Sequence, residues 1–272
     1  MVFIFLLIGS IFVAEFQHLN LAVYFFDVGQ GDSILIYTPK GQTILIDGGV
    51  DNTVVYKLGK YLPFYNRNID LIISTHPDSD HLAGLLEVIN RYHVKNILFS
   101  GIEHNSYLNQ LWLEKIKQSG ANLIIANQPL VIPLNRNMAL KILYPSQSLF
   151  GQTLKESNDA SIVAKLDVGN TAFLFTGDAP SKTVEKNLLT KGVDLQSDVL
   201  KVGHHGSKYS SGAPFLAAVK PKIAIISAGK DNKFGHPNPE VIARLNHLGA
   251  TILSTINLGD IIIYSDGVKI WY

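Results

Sequence analysis

Thr75-His76-Pro77-Asp78-Ser79-Asp80-His81 is the stretch on which the fold turns. The apolar run Ile69–Ser74 leads into it without polar alternation, as a strand buried on both faces would. His81–Tyr92 follows, with Leu82, Leu85, Leu86 and Ile89 at helical spacing. A strand, a short polar loop and a helix thus place His76, Asp78, Asp80 and His81 at a strand end. Alternate residues of an extended turn point the same way, so His76, Asp78 and Asp80 can converge. His81, at the helix start, can turn back toward them. Asp78 and Asp80 side by side repel each other unless a cation lies between them. The bland alternative is a solvated acidic loop, and the flanking apolar elements weigh against it.

Upstream, Leu21–Asp27, Ser33–Tyr37 and Thr43–Ile46 read as an antiparallel meander. Downstream, helices at Val54–Tyr61 and Ser106–Gln118 alternate with strands at Ile69–Ser74, Asn96–Phe99 and Leu123–Ile125. Short strands at Val131–Ile132 and Ala139–Leu143 precede a polar loop, Gln147–Asn158. Ser161–Asp167 and Thr171–Thr176 form a hairpin about Gly169-Asn170. Ser181–Thr190 reads as a helix with Ser181 as N-cap, and Pro239–Leu248 as one capped by Asn238. Strands at Val199–Val202 and Lys222–Ser227, a helix at Ala213–Val219 and two or three final strands complete the chain. The second half repeats the mixture of the first, which fits sheets inside and helices outside.

Several polar residues lie just past the ends of apolar strands: Asp47, Asp178, the pair His204-His205, and His236. In α/β folds such ends are where sites are built. Taken singly, each is more often a turn residue than a ligand. Their recurrence together carries the argument.

These motifs resemble the metallo-β-lactamase superfamily. The run from His76 to His81 is similar to its His-x-His-x-Asp-His signature, and Asp47, Asp178 and His204-His205 follow in its order. More specifically, Phe26-Asp27-Val28-Gly29-Gln30-Gly31-Asp32-Ser33, Ile46-Asp47-Gly48-Gly49, Gly177-Asp178-Ala179, Lys201-Val202-Gly203-His204-His205-Gly206-Ser207 and Gly235-His236-Pro237 resemble the C-terminal domain of ComEC-type DNA-internalisation (competence) proteins. The likeness runs from about residue 20 to residue 272.

The resemblance implies an α/β four-layer αββα metallo-β-lactamase sandwich holding two divalent metal ions. One ion would be bound by His76, Asp78 and a bridging Asp178. The other would take Asp80, His81, Asp178 and either His204 or His205. Asp47 would orient a ligand histidine, and Asn158 would stand near the first ion. Two departures matter. Asp78 replaces the second histidine of the signature, and the family's middle histidine ligand has no counterpart between residues 105 and 203, where Asn158 or Asp159 stands instead. Oxygen-rich sites suit harder ions, so the first site is expected to be weak or to prefer Mn²⁺ over Zn²⁺.

The chemistry expected is hydrolysis by metal-activated water, since a bound divalent ion lowers the pKa of its water from about 15.7 toward 7. Asp80 and Asp178 would orient the attacking group. His236, or whichever of His204 and His205 does not bind metal, would donate to the substrate. Between Val199 and His236 there are six lysines and one acid, Asp231. Lys208 and Lys233 lie nearest the histidines and are candidates for binding substrate phosphates. Tyr209 and Phe234, beside them, are either stacking surfaces or core residues. The expected substrate is DNA, single-stranded or duplex. A small-molecule (phospho)ester hydrolase and a non-catalytic binding domain are the alternatives.

Composition bounds the rest. The 272 residues are 47% hydrophobic and 17% charged, with a net charge of +1 and no cysteine. A core of that size needs no disulfides, and thiolate metal sites and Cys nucleophiles are excluded. The near-zero charge neither requires nor forbids a polyanionic partner. Residues 1–18 read as an apolar segment, the end of a transmembrane helix or an anchor in preference to a buried first strand, ahead of a hydrolase domain at 19–272. With the resemblance, this places the domain on the extracytoplasmic side of a membrane.

Overall fold

The computed structural model describes residues 20–272. The apolar segment 1–18 lies outside the described residues. No helix among the described residues is long and apolar enough to cross a membrane.

Two sheets face each other. Among the described residues the first has eight strands and the second seven. In the first, β1 (Leu21–Phe25), β2 (Ile34–Tyr37) and β3 (Thr43–Ile46) form the antiparallel meander expected from sequence. β4 (Asn68–Ser74), β5 (His93–Phe99) and β6 (Asn122–Ile125) then continue in parallel. The crossings are α1 (Thr53–Tyr61), α2 (Ser79–Arg91) and α3 (Tyr107–Gln118).

The second sheet repeats the scheme. β7 (Leu130–Asn135), β8 (Met138–Tyr144), β9 (Val163–Val168) and β10 (Thr171–Phe175) are antiparallel. β11 (Val199–Lys201), β12 (Ile223–Ile226) and β13 (Thr251–Ser254) follow in parallel. Their crossings are α4 (Lys186–Thr190), α5 (Ala213–Val219) and α6 (Pro239–His247). After the short α7 (Thr255–Leu258), β14 (Ile261–Ser265) returns to the first sheet and pairs with β1, and β15 (Ile270–Trp271) pairs with β14.

The period-two geometry of a strand explains the layers. Leu21, Val23 and Phe25 of β1 point into the core between the sheets, with Leu71 and Ile73 of β4 and Phe173 and Phe175 of β10. Ile72 of β4 points the other way, against Leu82, Leu85 and Val88 of α2. Leu200, Ala224 and Ile226 of the second sheet meet Phe215, Leu216, Val241 and Leu245 of α5 and α6. Each large apolar side chain buried this way stabilises the fold by about 1.5–3 kcal/mol. Both faces of the central strands are covered, so they read as unbroken apolar runs.

Two local readings change. Ser181 does not cap a helix: Pro180 holds that place, and Ser181–Glu185 forms a wider turn ahead of α4. The amide of Glu185 donates to the Pro180 carbonyl, five residues back. That extra residue turns the Glu185 carboxylate inward, where it accepts from the amides of Ser211 and Gly212. α2 begins at Ser79, not His81, and Asp78 stands at its N-cap without capping it. The Asp78 carboxylate is taken by the Ser157 hydroxyl instead.

Glycine decides how close α2 comes to the strand ends. The Gly48 amide donates to the His81 carbonyl at 2.7 Å, and the Gly84 amide to the Gly49 carbonyl at 3.0 Å. A Cβ on Gly84 would fall on the Gly48 carbonyl. Gly84→Ala is therefore expected to push α2 off the loop carrying Asp47 and to cost about 1–3 kcal/mol, measured as a lower denaturant midpoint. An unchanged midpoint would show that the helix has room to spare.

Candidate metal centre

The sites cluster at the C-terminal ends of parallel strands from both sheets. Asp47 follows β3, the His76–His81 loop follows β4, Asp178 follows β10, and His204-His205 follow β11. Three of these residues hold a left-handed backbone: Asp47 at φ 57°, His204 at φ 50° and His205 at φ 55°. Such conformations cost about 1–3 kcal/mol each in non-glycine residues and collect at functional sites.

Two histidines, one from each half, are held the same way. The Nδ1 of His81 lies 2.8 Å from Asp47 Oδ2. Asp47 is itself fixed by the Thr75 amide at 2.8 Å and the Thr75 hydroxyl at 2.7 Å. The Nδ1 of His205 lies 2.9 Å from the Ser227 carbonyl and 3.3 Å from Asp32 Oδ1. With Nδ1 engaged as the donor, each ring turns the lone pair of its Nε2 to the centre. There His81 Nε2 is 3.2 Å from Asp178 Oδ1, and His205 Nε2 is 3.2 Å from Asp80 Oδ2 and 3.6 Å from Asp178 Oδ2.

His76 completes the wall. Its Nδ1 meets the Thr75 hydroxyl at 2.9 Å, its Nε2 lies 3.6 Å from Asp78 Oδ2, and its ring stands 4.2 Å from that of His81. Ligand atoms of His76, His81 and Asp178 lie within 4.8 Å of one another, as do those of Asp80, His81 and His205. The Nε2 atoms of His76, His81 and His205 and Oδ1 of Asp178 are buried without hydrogen-bond partners. Buried polar atoms are rarely left so. Imidazole lone pairs and a carboxylate aimed at a common point fit a divalent cation.

The electrostatics point the same way. Burial disfavours a charged His81, but Asp178 and Asp47 outweigh it and hold the pKa well above the ordinary value. Burial likewise opposes charge on His205, and Asp178 and Asp32 override it, pushing the pKa up to about 9. Asp178 is sealed, yet His205 and His81 hold its pKa well below the usual range. The cavity's carboxylates favour positive charge at its centre, which a metal ion would supply.

The sequence-expected residues distribute as follows. His205 is buried and faces Asp80 and Asp178. His204 is partly exposed, with Nε2 3.5 Å from Asp178 Oδ2 and Nδ1 3.3 Å from Asn158 Nδ2. Asp78 sits at the rim, its pKa lowered to about 2 because the His76 contact outweighs partial burial. Asp159 turns away and accepts from the Thr183 hydroxyl, so Asn158 is the residue at the centre. The His236 ring stands edge-on to His204, with centroids 5.4 Å apart, and tilted to His205 at 6.4 Å. Burial and those two imidazoles lower its pKa to about 4, so at pH 7 it is neutral. It offers an N–H hydrogen bond, not a readily given proton.

Not all six lysines between Val199 and His236 face the centre. Lys201 is fully buried and pairs with Asp32 at 2.6 Å. Lys220 and Lys222 precede β12, whose start pairs with that of β11, at the end away from the histidines, and Lys222 is tied to Asp198. Lys208 and Lys233 are exposed, in loops beside the centre.

Asp32 was not expected at the site. Gly31, at φ +134°, brings it there: a Cβ on Gly31 would strike the Asp80 carbonyl, which accepts from the Asp32 amide at 3.2 Å. The signal in the sequence was Lys201 itself, a charge inside an apolar strand that demands a buried partner.

Residues 26–230 match the metallo-beta-lactamase superfamily, and the chain belongs to it. Among curated proteins it is similar to "ComE operon protein 3" of Bacillus subtilis (strain 168), 28% identical over 253 residues, covering 86% of this chain and 32% of that protein. It is also similar to "Competence protein ComA" of Neisseria gonorrhoeae, 31% identical over 248 residues, covering 86% of this chain and 31% of that one. The chain thus spans about a third of the length of these relatives. Among solved structures, CmlA, a diiron beta-hydroxylase from Streptomyces venezuelae, aligns over 89% of this chain and 54% of its own with a TM-score of 0.58. At 15% identity that likeness shows the shared fold.

Removing one partner of a buried ion pair strands the other charge at a cost of about 3–5 kcal/mol. Lys201→Met is expected to lose stability of that order in denaturant unfolding, and adding Asp32→Asn to recover most of it. Equal losses in the single and double variants would show that the pair carries no such coupling.

Proposed function

We propose that this chain is a metal-dependent phosphodiester hydrolase that cleaves DNA during its uptake. The observation that carries this reading is the cluster of unpartnered Nε2 atoms of His76, His81 and His205 around Asp178. In this reading the centre holds two divalent ions. His76, Asp78 and Asp178 would hold one, with Asn158 and His204 beside it. Asp80, His81, Asp178 and His205 would hold the other. The first set is richer in oxygen and suits Mn²⁺.

Ions bound there would supply a water of lowered pKa and take up charge on the phosphoryl oxygens. The protein does the rest. Asp80, less buried than Asp178, accepts a hydrogen bond from the attacking water and aims it. Asp178, sealed and ionised, keeps the His81 and His205 faces in register. Neutral His236 donates its N–H to a substrate oxygen, and His204 faces the open side of the site. Lys208 and Lys233 hold flanking phosphates, contacts that position a strand without reading its sequence. The names of the curated relatives, a competence protein and a ComE operon protein, support DNA as the substrate. In this reading residues 1–18 belong to a membrane segment and the domain works on the extracytoplasmic side.

The test is cleavage of single- and double-stranded DNA in titrations of Mn²⁺ and Zn²⁺, with metal content measured on the same preparations. Partners of a ligand cost about 10–100-fold when removed, so Asp80→Ala, which removes a ligand itself, should lose at least about 100-fold in rate along with bound metal. A preparation that takes up no divalent ion, or cleavage that Asp80→Ala leaves intact, would sink the reading.

A further inference from the structure

Above the metal centre the rings continue outward in a row. His204 lies 5.4 Å from His236, and His236 stacks on Phe234 at 5.7 Å with the planes 23° apart. Phe234 ends the row with 69% of its surface exposed. An isolated exposed aromatic needs no explanation. This one is held in place. Asn232 clasps the loop with four hydrogen bonds: its amide donates to the carbonyls of Gly229 and His236, and its carbonyl accepts from the amides of Phe234 and His236. One end of the loop is pinned where the Gly229 amide meets the Gln30 side chain at 3.1 Å. The other is pinned where Gly206 packs against Pro237 and accepts from the Asn238 amide at 2.8 Å.

The loop therefore presents a pre-set apolar ring to solvent, beside the site and flanked by Lys230 and Lys233. Four residues past His205 stands Tyr209, 62% exposed, with the Lys208 ammonium 5.2 Å from its ring centre. Flat rings interleaved with lysines match a chain that alternates flat bases with phosphates. A base within a duplex is already stacked on both faces and cannot use them. We infer that Phe234, backed by His236, is a stacking platform for an unpaired base of the substrate strand, so that the site engages single-stranded nucleic acid. This rests on the phosphodiesterase reading above and names the form of substrate that site accepts.

Binding tests it without relying on turnover. Fluorescence anisotropy in Ca²⁺ would compare a labelled short oligothymidylate with a strand of equal length made only of abasic residues. The protein should bind the thymidylate about tenfold more tightly, the scale of one base–aromatic stack. Phe234→Ala should bind both strands alike, and Phe234→Trp should restore the preference. A Phe234→Ala protein that keeps the preference overturns the platform, as does a wild-type protein that shows none. Failure of the hydrolase reading looks different: ring-dependent binding would persist while Mn²⁺ gave no cleavage of any strand.

Discussion

The site depends on a conflict between burial and charge. Asp32, Asp47 and Asp178 are all withdrawn from water within one small volume. Anions so placed are costly unless positive charge meets them. Lys201 answers Asp32, the His81 ring answers Asp47, and Asp178 lies between His81 and His205. Every other feature of the centre serves this balance. Left-handed turns at Asp47 and at His204-His205 aim the groups, and close glycine contacts let the chains carrying them approach.

Because the paired histidines come from different sheets, the arrangement also ties the sandwich together. His81 sits on α2 against the first sheet, and His205 follows β11 of the second. Asp178 touches both. The core between the sheets fixes their separation, and that separation sets how far apart the two imidazoles stand. Packing and chemistry are therefore coupled at this point: a change in the inter-sheet core near Phe175 or Ile73 reaches the site through a strand only a few residues long.

Much of this was legible in the sequence. The loop from Thr75 to His81 showed its candidate ligands because they are packed into six residues between two apolar elements. The central strands showed themselves through unbroken apolar runs, and Asn238 through its place before Pro239, where it accepts from the Glu240 amide. What was not legible depends on contacts distant in sequence. Asp32 stood out only as part of the run Phe26–Ser33 because its partners, Lys201 and His205, lie far along the chain. Lys201 looked like part of a basic surface because strand burial cannot be seen at a single position. Ser181 looked like a cap because nothing local announces that Glu185 must turn in to meet Ser211 and Gly212. The choice between His204 and His205 rested on a backbone turn that both residues share.

One feature of the topology bears on how the molecule comes to exist. The strand Leu21–Phe25, first of the described strands, finds its second neighbour only in Ile261–Ser265, which follows every strand of the second sheet. During synthesis this edge of the first sheet therefore stays open until the whole second sheet has been made. Pairings so far apart in sequence form slowly, and an open apolar edge invites association with other chains. Nascent protein would have to be shielded in that interval, and a copy clipped before Ile261 would keep the exposed edge permanently.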